Sequence, residues 1–260
     1  MESPDSVLME ERDGIAVMTL NRSLALNAID TGVLTRLARL LMLAQENERV
    51  RAVILTGTGA AFSAGADIKY LSQASPLAVR DFARLAVRVT NMIEDLGKPV
   101  IAALNGITFG GGLELAEACM IRIAATGAKL GHPEVRIGAV AGFGGTTRLP
   151  RLVGKGRAAD MLLRGRTVDA EEALRIGLVQ EIAEPTRLMA AAESVAREIL
   201  DQSPVAVRLT WAALHRGLNM TLEESAELGA DYFGLVAASE DFRIGTAAFV
   251  EKRRPAWTGQ

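Results

Sequence analysis

The sequence predicts an α/β protein. Short apolar runs bounded by glycine, asparagine or proline alternate with stretches whose apolar residues recur at helical spacing, and from about Thr186 onward the strand signals stop. Val17 to Leu20, Ala52 to Leu55 and Val100 to Leu104 read as buried strands, and Ile121 to Ala125 and Leu178 to Ile182 supply two more. Between them, Val33, Leu37, Leu40 and Leu41 mark one helix. Phe82, Leu85, Val89 and Ile93 mark another, which starts at Ser75-Pro76.

The last 70 or so residues read as helical. Ser203-Pro204 is an N-cap followed by proline at the first helical position, and Thr221 with Glu224 has capping-box spacing. Three helical patterns end near Arg254-Pro255. The expected division is a core over residues 1–185 and a helical region over residues 186–260. Leu222, Ala226, Leu228, Phe233 and Val236 form an apolar pattern larger than a short appendage needs to cover itself. Assembly of several copies is therefore expected.

Composition removes several function classes. The chain has 260 residues with 49% hydrophobic and 23% charged residues, enough to bury a core without disulfides or structural metal. Its net charge of −2 and pI of 5.9 give no basic field for nucleic acid. Cys119 is the only cysteine, which excludes an intrachain disulfide and fits a reducing compartment. No apolar run reaches the roughly 18 residues of a membrane span. The stretch Met1 to Glu11 is polar and acidic, unlike a signal or transit peptide. A cytoplasmic protein without membrane or nucleic-acid partners is expected.

His132 and His215 are the only histidines, and with one cysteine they form no recognisable zinc set. No metal is expected. No nucleophile elbow is present. The cluster Gly106 to Gly112 lacks the Lys-Ser/Thr of a P-loop and the spacing of a dinucleotide-binding turn, and Gly142 to Gly145 fails the same tests.

The informative segment runs from Lys98 to Glu114. A buried strand leads into Gly110-Gly111-Gly112, and a helical pattern begins at once. Glycines there allow unusual dihedrals and close approach of a ligand to the peptide plane. The unpaired N–H groups of a helix start suit an oxygen that gains negative charge. Glu114 falls in the first helical turn among Leu113, Leu115 and Ala116, where it either complements the helix dipole or serves a site. Glu134, in Gly131-His132-Pro133-Glu134, reads alone as a turn glutamate.

These segments together resemble the crotonase (enoyl-CoA hydratase/isomerase) family over nearly the whole chain. The resemblance is carried by Asn27-Ala28-Ile29, Ala61 to Lys69, Asn105 to Glu114, His132-Pro133-Glu134, Gly142 to Thr146 and Phe249 to Arg253. It implies a spiral of ββα units followed by a helical trimerisation region, assembled as a trimer or hexamer. It implies that the backbone N–H groups of Ala66 and Gly111 hold a thioester oxygen. Glu114 and Glu134, twenty residues apart as in the hydratases of the family, would orient and activate water and exchange a proton at C2. Ala64, Gly65, Asp67, Ile68 and Lys69 would line the path of coenzyme A, with Lys252 near its phosphates. Gly142, Phe143 and Phe249 would flank the acyl group. The acyl-CoA thioester is then the substrate, and no cofactor is expected.

The expected reaction is reversible hydration of a trans-2-enoyl-CoA. Enoyl-CoA isomerisation or another enolate-forming reaction is the alternative within the family, and a non-catalytic or RNA-binding role lies outside it. Ala141, Phe143 and Met120 depart from the common hydratase pattern; the first two bear on the acyl pocket and the third on packing.

Overall fold

The computed structural model describes residues 4–260, so the first three residues of the polar opening stretch lie outside the described residues. The chain divides into two compact units, Met1–Ala196 and Arg197–Gln260.

The first unit opens with the antiparallel strands β1 (Val7–Arg12) and β2 (Ile15–Leu20). Asp13 and Gly14 join them with φ of 52° and 79°, a turn with positive φ at both positions that matches strand twist. Helix α1 (Thr31–Glu46) follows, capped by Asp30, which accepts from the Val33 N–H.

A repeat then begins. Its first turn is β3 (Ala52–Gly57), β4 (Ala61–Ser63), α2 (Ile68–Leu71) and α3 (Pro76–Glu94). The second is β5 (Val100–Leu104), β6 (Ile107–Phe109) and α4 (Gly111–Glu117). The third is β7 (Ile121–Ala125), β8 (Lys129–Gly131), a 3₁₀ turn at Glu134–Ile137, α5 (Gly145–Val153) and α6 (Lys155–Arg164). The strands β9 (Thr167–Asp169) and β10 (Glu181–Ala183), with α7 (Ala170–Arg175) between them and α8 (Leu188–Leu200) after, complete the series.

Each turn gives its first strand to one sheet and its second to another. The larger sheet has the order β1-β2-β3-β5-β7-β10 and the smaller β4-β6-β8-β9. From β2 onward the larger sheet is parallel, and so are β4, β6 and β8. Parallel strands covered on both faces have no solvent side, which is why β3 and β5 read as unbroken apolar runs. This is the ββα spiral that the resemblance implies.

Two boundaries differ from expectation. The strand expected over Leu178 to Ile182 is Glu181–Ala183, because the Leu178 N–H donates to the Ala173 carbonyl and closes the end of α7 instead. The first compact unit extends to Ala196 rather than residue 185; Leu188, Ala192 and Ala196 are buried along α8.

The second unit contains α9 (Pro204–Gly217), α10 (Leu222–Ala237) and α11 (Glu240–Val250). Ser203 caps α9 through the Ala206 N–H, and the Thr221–Glu224 capping box is fully formed. Buried Asp241 accepts from Ser203 Oγ and from the N–H groups of Thr258 and Gly259, which ties down the C-terminal stretch. Leu222, Phe233, Leu235, Phe249 and Val250 are exposed, and α10 has no buried residue. No helix among the described residues is long and apolar enough to cross a membrane.

Candidate active site

The three parallel strands of the smaller sheet end on the same side, and each is followed within two or three residues by a group expected in the site. Ala66 follows β4, Gly111 follows β6 and Glu134 follows β8. A cavity of about 630 Å³ lies beyond these strand ends and is lined by all three, together with Glu114.

The two segments expected to hold an oxyanion are built by backbone geometry. The Ile29 N–H donates to the Gly65 carbonyl and the Asp67 N–H to the Ile29 carbonyl, both at 2.8 Å. In such a parallel bridge the residue between, Ala66, directs its own N–H away from Ile29. Gly110 takes φ of 50° and ψ of −127°, which turns the chain from β6 into α4 and leaves the Gly111 N–H at the helix start. A Cβ on Gly111 would lie 2.4 Å from Phe143 Cε2, so only glycine fits under that ring.

Glu114 is 1% exposed. Its Oε1 accepts from the backbone N–H of Phe143 at 2.6 Å and of Gly145 at 2.7 Å. Burial pushes its carboxyl up to about 7, even though the Gly145 N–H and the charge of His132 pull the other way. A carboxyl group that titrates near neutrality suits general acid–base work.

Glu134 begins the 3₁₀ turn after β8. A Cβ on Gly110 would come within 2.9 Å of its Oε1, so its carboxylate sits against the turn into α4. Neither carboxylate oxygen has a hydrogen-bond partner within the protein.

The loop carrying Gly142 and Phe143 is held by α3. The Phe143 carbonyl accepts from Thr90 Oγ1 and from Arg148, whose guanidinium also pairs with Glu94 at 2.9 Å. Phe143 packs edge-on against Phe82 at 5.3 Å between centroids, and Phe82 against Tyr70 at 5.4 Å. Leu71, Val79 and Ala83 continue this apolar wall.

The arrangement is a cavity that holds the carboxyl groups of Glu114 and Glu134 beside the two segments expected to bind an oxyanion, with Phe82 and Phe143 as its aromatic wall. The family model for enoyl-CoA hydratase/isomerase matches residues 10–260. The chain belongs to the enoyl-CoA hydratase/isomerase family. It is 40% identical over 251 residues to a crotonyl-CoA hydratase of Syntrophomonas wolfei and 41% identical to a short-chain-enoyl-CoA hydratase of Clostridium acetobutylicum, with 96% of each chain covered in both cases. The crystal structure of an enoyl-CoA hydratase from Bacillus anthracis superposes with a TM-score of 0.94 at 36% identity, covering 98% of this chain and all of that one. The spiral is therefore the crotonase fold.

As in this family's motifs, Ala64, Gly65, Ala66, Ile68, Gly111, Glu114, Glu134, Gly142 and Phe143 come together around one cavity. Asp67 and Lys69 do not line it. Asp67 caps α2 through the N–H groups of Lys69 and Tyr70 and pairs with Arg22, while Lys69 is exposed. Phe249 and Lys252 belong to the second unit, where Phe249 is exposed and Lys252 has a φ of 55°. Ala141 is buried behind the lining, 3.1 Å from where a Cβ on Gly145 would stand, and the Met120 N–H donates to the Val100 carbonyl. Tyr70, Phe82 and Glu117 are not singled out by motif. Tyr70 directly follows the Ala61 to Lys69 segment and Phe82 belongs to an ordinary helical pattern, whereas Glu117 stands out as a charge inside the apolar run Leu115 to Cys119.

Proposed function

We propose that this chain is an enoyl-CoA hydratase, which adds water reversibly across the 2,3 double bond of a trans-2-enoyl-CoA. The observation that carries this reading is the convergence of Glu114, Glu134 and the Gly111 helix start on one cavity. Addition at C3 sends electron density onto the thioester oxygen, and paired N–H donors from Ala66 and Gly111 would stabilise it. One carboxylate takes a proton from water as its oxygen bonds to C3, and the other, as an acid, gives a proton to C2. Glu114, fixed by two backbone donors, suits the orientation of water; Glu134, with neither oxygen hydrogen-bonded within the protein, suits exchange at C2.

The aromatic wall of Phe82 and Phe143, with Tyr70 packed against Phe82, favours a short acyl group, in keeping with the names of the two relatives above. Coenzyme A enters as part of the substrate, and this chemistry asks for no resident cofactor. The exposed apolar side chains of the second unit support a homo-oligomer, a trimer or hexamer, and the buried lone Cys119 is in keeping with the cytoplasm.

Purified protein should bleach the enoyl-thioester absorbance of crotonyl-CoA and do so less well as the chain lengthens. No hydration of any enoyl-CoA in a panel of straight and ring-bearing acyl groups would remove the reading. Light scattering should give a multiple of 27.6 kDa; an active monomer would rule out the proposed assembly.

A further inference from the structure

Helix α4 carries a second carboxylate that hydration does not call for. Glu117 lies one helical turn beyond Glu114 and is 4% exposed. Its Oε1 is 2.8 Å from Nε2 of His132, which is also buried. The other ring nitrogen, Nδ1, lies 3.5 Å from Glu134 Oε1. Among the described residues, the buried side-chain polar atoms without a hydrogen-bond partner are Glu117 Oε2, His132 Nδ1 and the two oxygens of Glu134. All four belong to this one group. Buried charges are costly and are weak evidence for stability as such.

We infer that, given the hydration proposed above, Glu117 is a positioning residue: acting through His132, it sets the orientation and the proton content of the Glu134 carboxyl. By accepting from Nε2, Glu117 commits that nitrogen to carrying a proton. Nδ1 then has two states. With a proton, it presents an N–H to Glu134 Oε1 and leaves Oε2 to the substrate. Without one, a state that the wild-type ring enters only near pH 10, it presents a lone pair that accepts a proton from Glu134. Transfer between the two breaks one N–H or O–H bond and forms the other, and it needs no further reactant.

The charged groups facing the ring are Glu117 from α4 and Glu134 from the 3₁₀ turn, with Glu114 within Coulombic reach and Arg122 coupled to Glu117. Burial pushes the imidazole down, but the charge and hydrogen bond of Glu117, and then Glu134, outweigh it and hold the ring at about 10. His132 thus sits between a carboxylate that fixes it and a carboxyl that reacts.

The chain has two histidines, so ¹⁵N-histidine labelling gives two ring systems to follow. In the wild type, His132 should stay doubly protonated between about pH 6 and 9. Glu117→Gln keeps an acceptor for Nε2–H and removes the charge. Its His132 should titrate inside that window, kcat for crotonyl-CoA should fall by about 10–100-fold with KM unchanged, and the pH–rate profile should move. Glu117→Asp, which restores the charge, should recover part of the profile. The double variant Glu117→Gln/His132→Gln removes both charges of the pair together and keeps the protein assayable should the single one unfold. A persistent loss of kcat there supports the inference. Wild-type kcat and pH profile in either the single or the double variant would overturn it. A wild-type protein that hydrates nothing would instead remove the proposed reaction, while the His132 titration would still report the Glu117 coupling.

Discussion

Glu114 Oε1 accepts the backbone N–H of Phe143 at 2.6 Å, so one residue ties a buried carboxyl to the aromatic wall of the cavity. In the proposed hydration, the same residue that orients the acid–base group would also place the ring that limits the substrate.

Replacing either carboxyl by its amide should therefore separate chemistry from binding. Glu114→Gln and Glu134→Gln should each lower hydratase kcat by at least about 10²-fold. The affinity for a saturated acyl-CoA should change little, because the oxygen donors are backbone groups. Near-wild-type turnover in either variant would sink the two-carboxyl mechanism.

Stability should report the Glu114 burial with a definite sign. Its carboxyl is raised from 4.5 to about 7. Between those values the unfolded chain has released a proton that the folded one keeps, so stability from this group falls as pH rises through the window. Above about pH 7 the ionised, buried carboxylate is a net cost. Glu114→Gln should accordingly melt higher than the wild type near pH 8, with the difference shrinking towards about pH 4.5. A difference independent of pH would refute the assignment.

Phe143→Ala should widen the pocket, since the ring is 5% exposed and packs on Phe82. The ratio of kcat/KM for a longer acyl chain to that for crotonyl-CoA should rise by about tenfold or more, the scale of discrimination that apolar pockets achieve. An unchanged ratio across a chain-length series would move the specificity determinant elsewhere.

The Gly111 donor can be tested only with that ring removed. Proline suits a first helical position and deletes the N–H, but a Cβ at residue 111 would strike Phe143 at 2.4 Å. In a Phe143→Ala parent, Gly111→Pro should cost about 10²–10³-fold in kcat and abolish the red shift of a bound enoyl thioester. A folded variant that keeps both would show that Gly111 holds no oxyanion.

Much of this was open to reading because burial leaves marks in sequence. β5 is five buried residues in a row, and Ser75, Ser203 and Thr221 announce helix starts that the structure contains. Strand β1 escapes a search for apolar runs because it carries Glu10, Glu11 and Arg12 on an exposed edge; its signal is the Asp13-Gly14 turn. Strands β4, β6, β8 and β9 are three residues each, too short for any periodicity. Glu114 and Glu134 stand out through their motifs. The partnership of Glu117 with His132 does not, because fifteen residues of chain separate them and only the tertiary fold brings Nε2 to Oε1.

The site groups recur at one station on three successive turns, two or three residues past β4, β6 and β8. Those short hops have to keep their length. Gly97 and Gly127, in turns where an added Cβ would meet nothing within 4 Å, mark where the chain between stations has room. A peptide tag inserted at either turn should leave the hydration chemistry in register. One extra residue between Phe109 and Gly111 should destroy it.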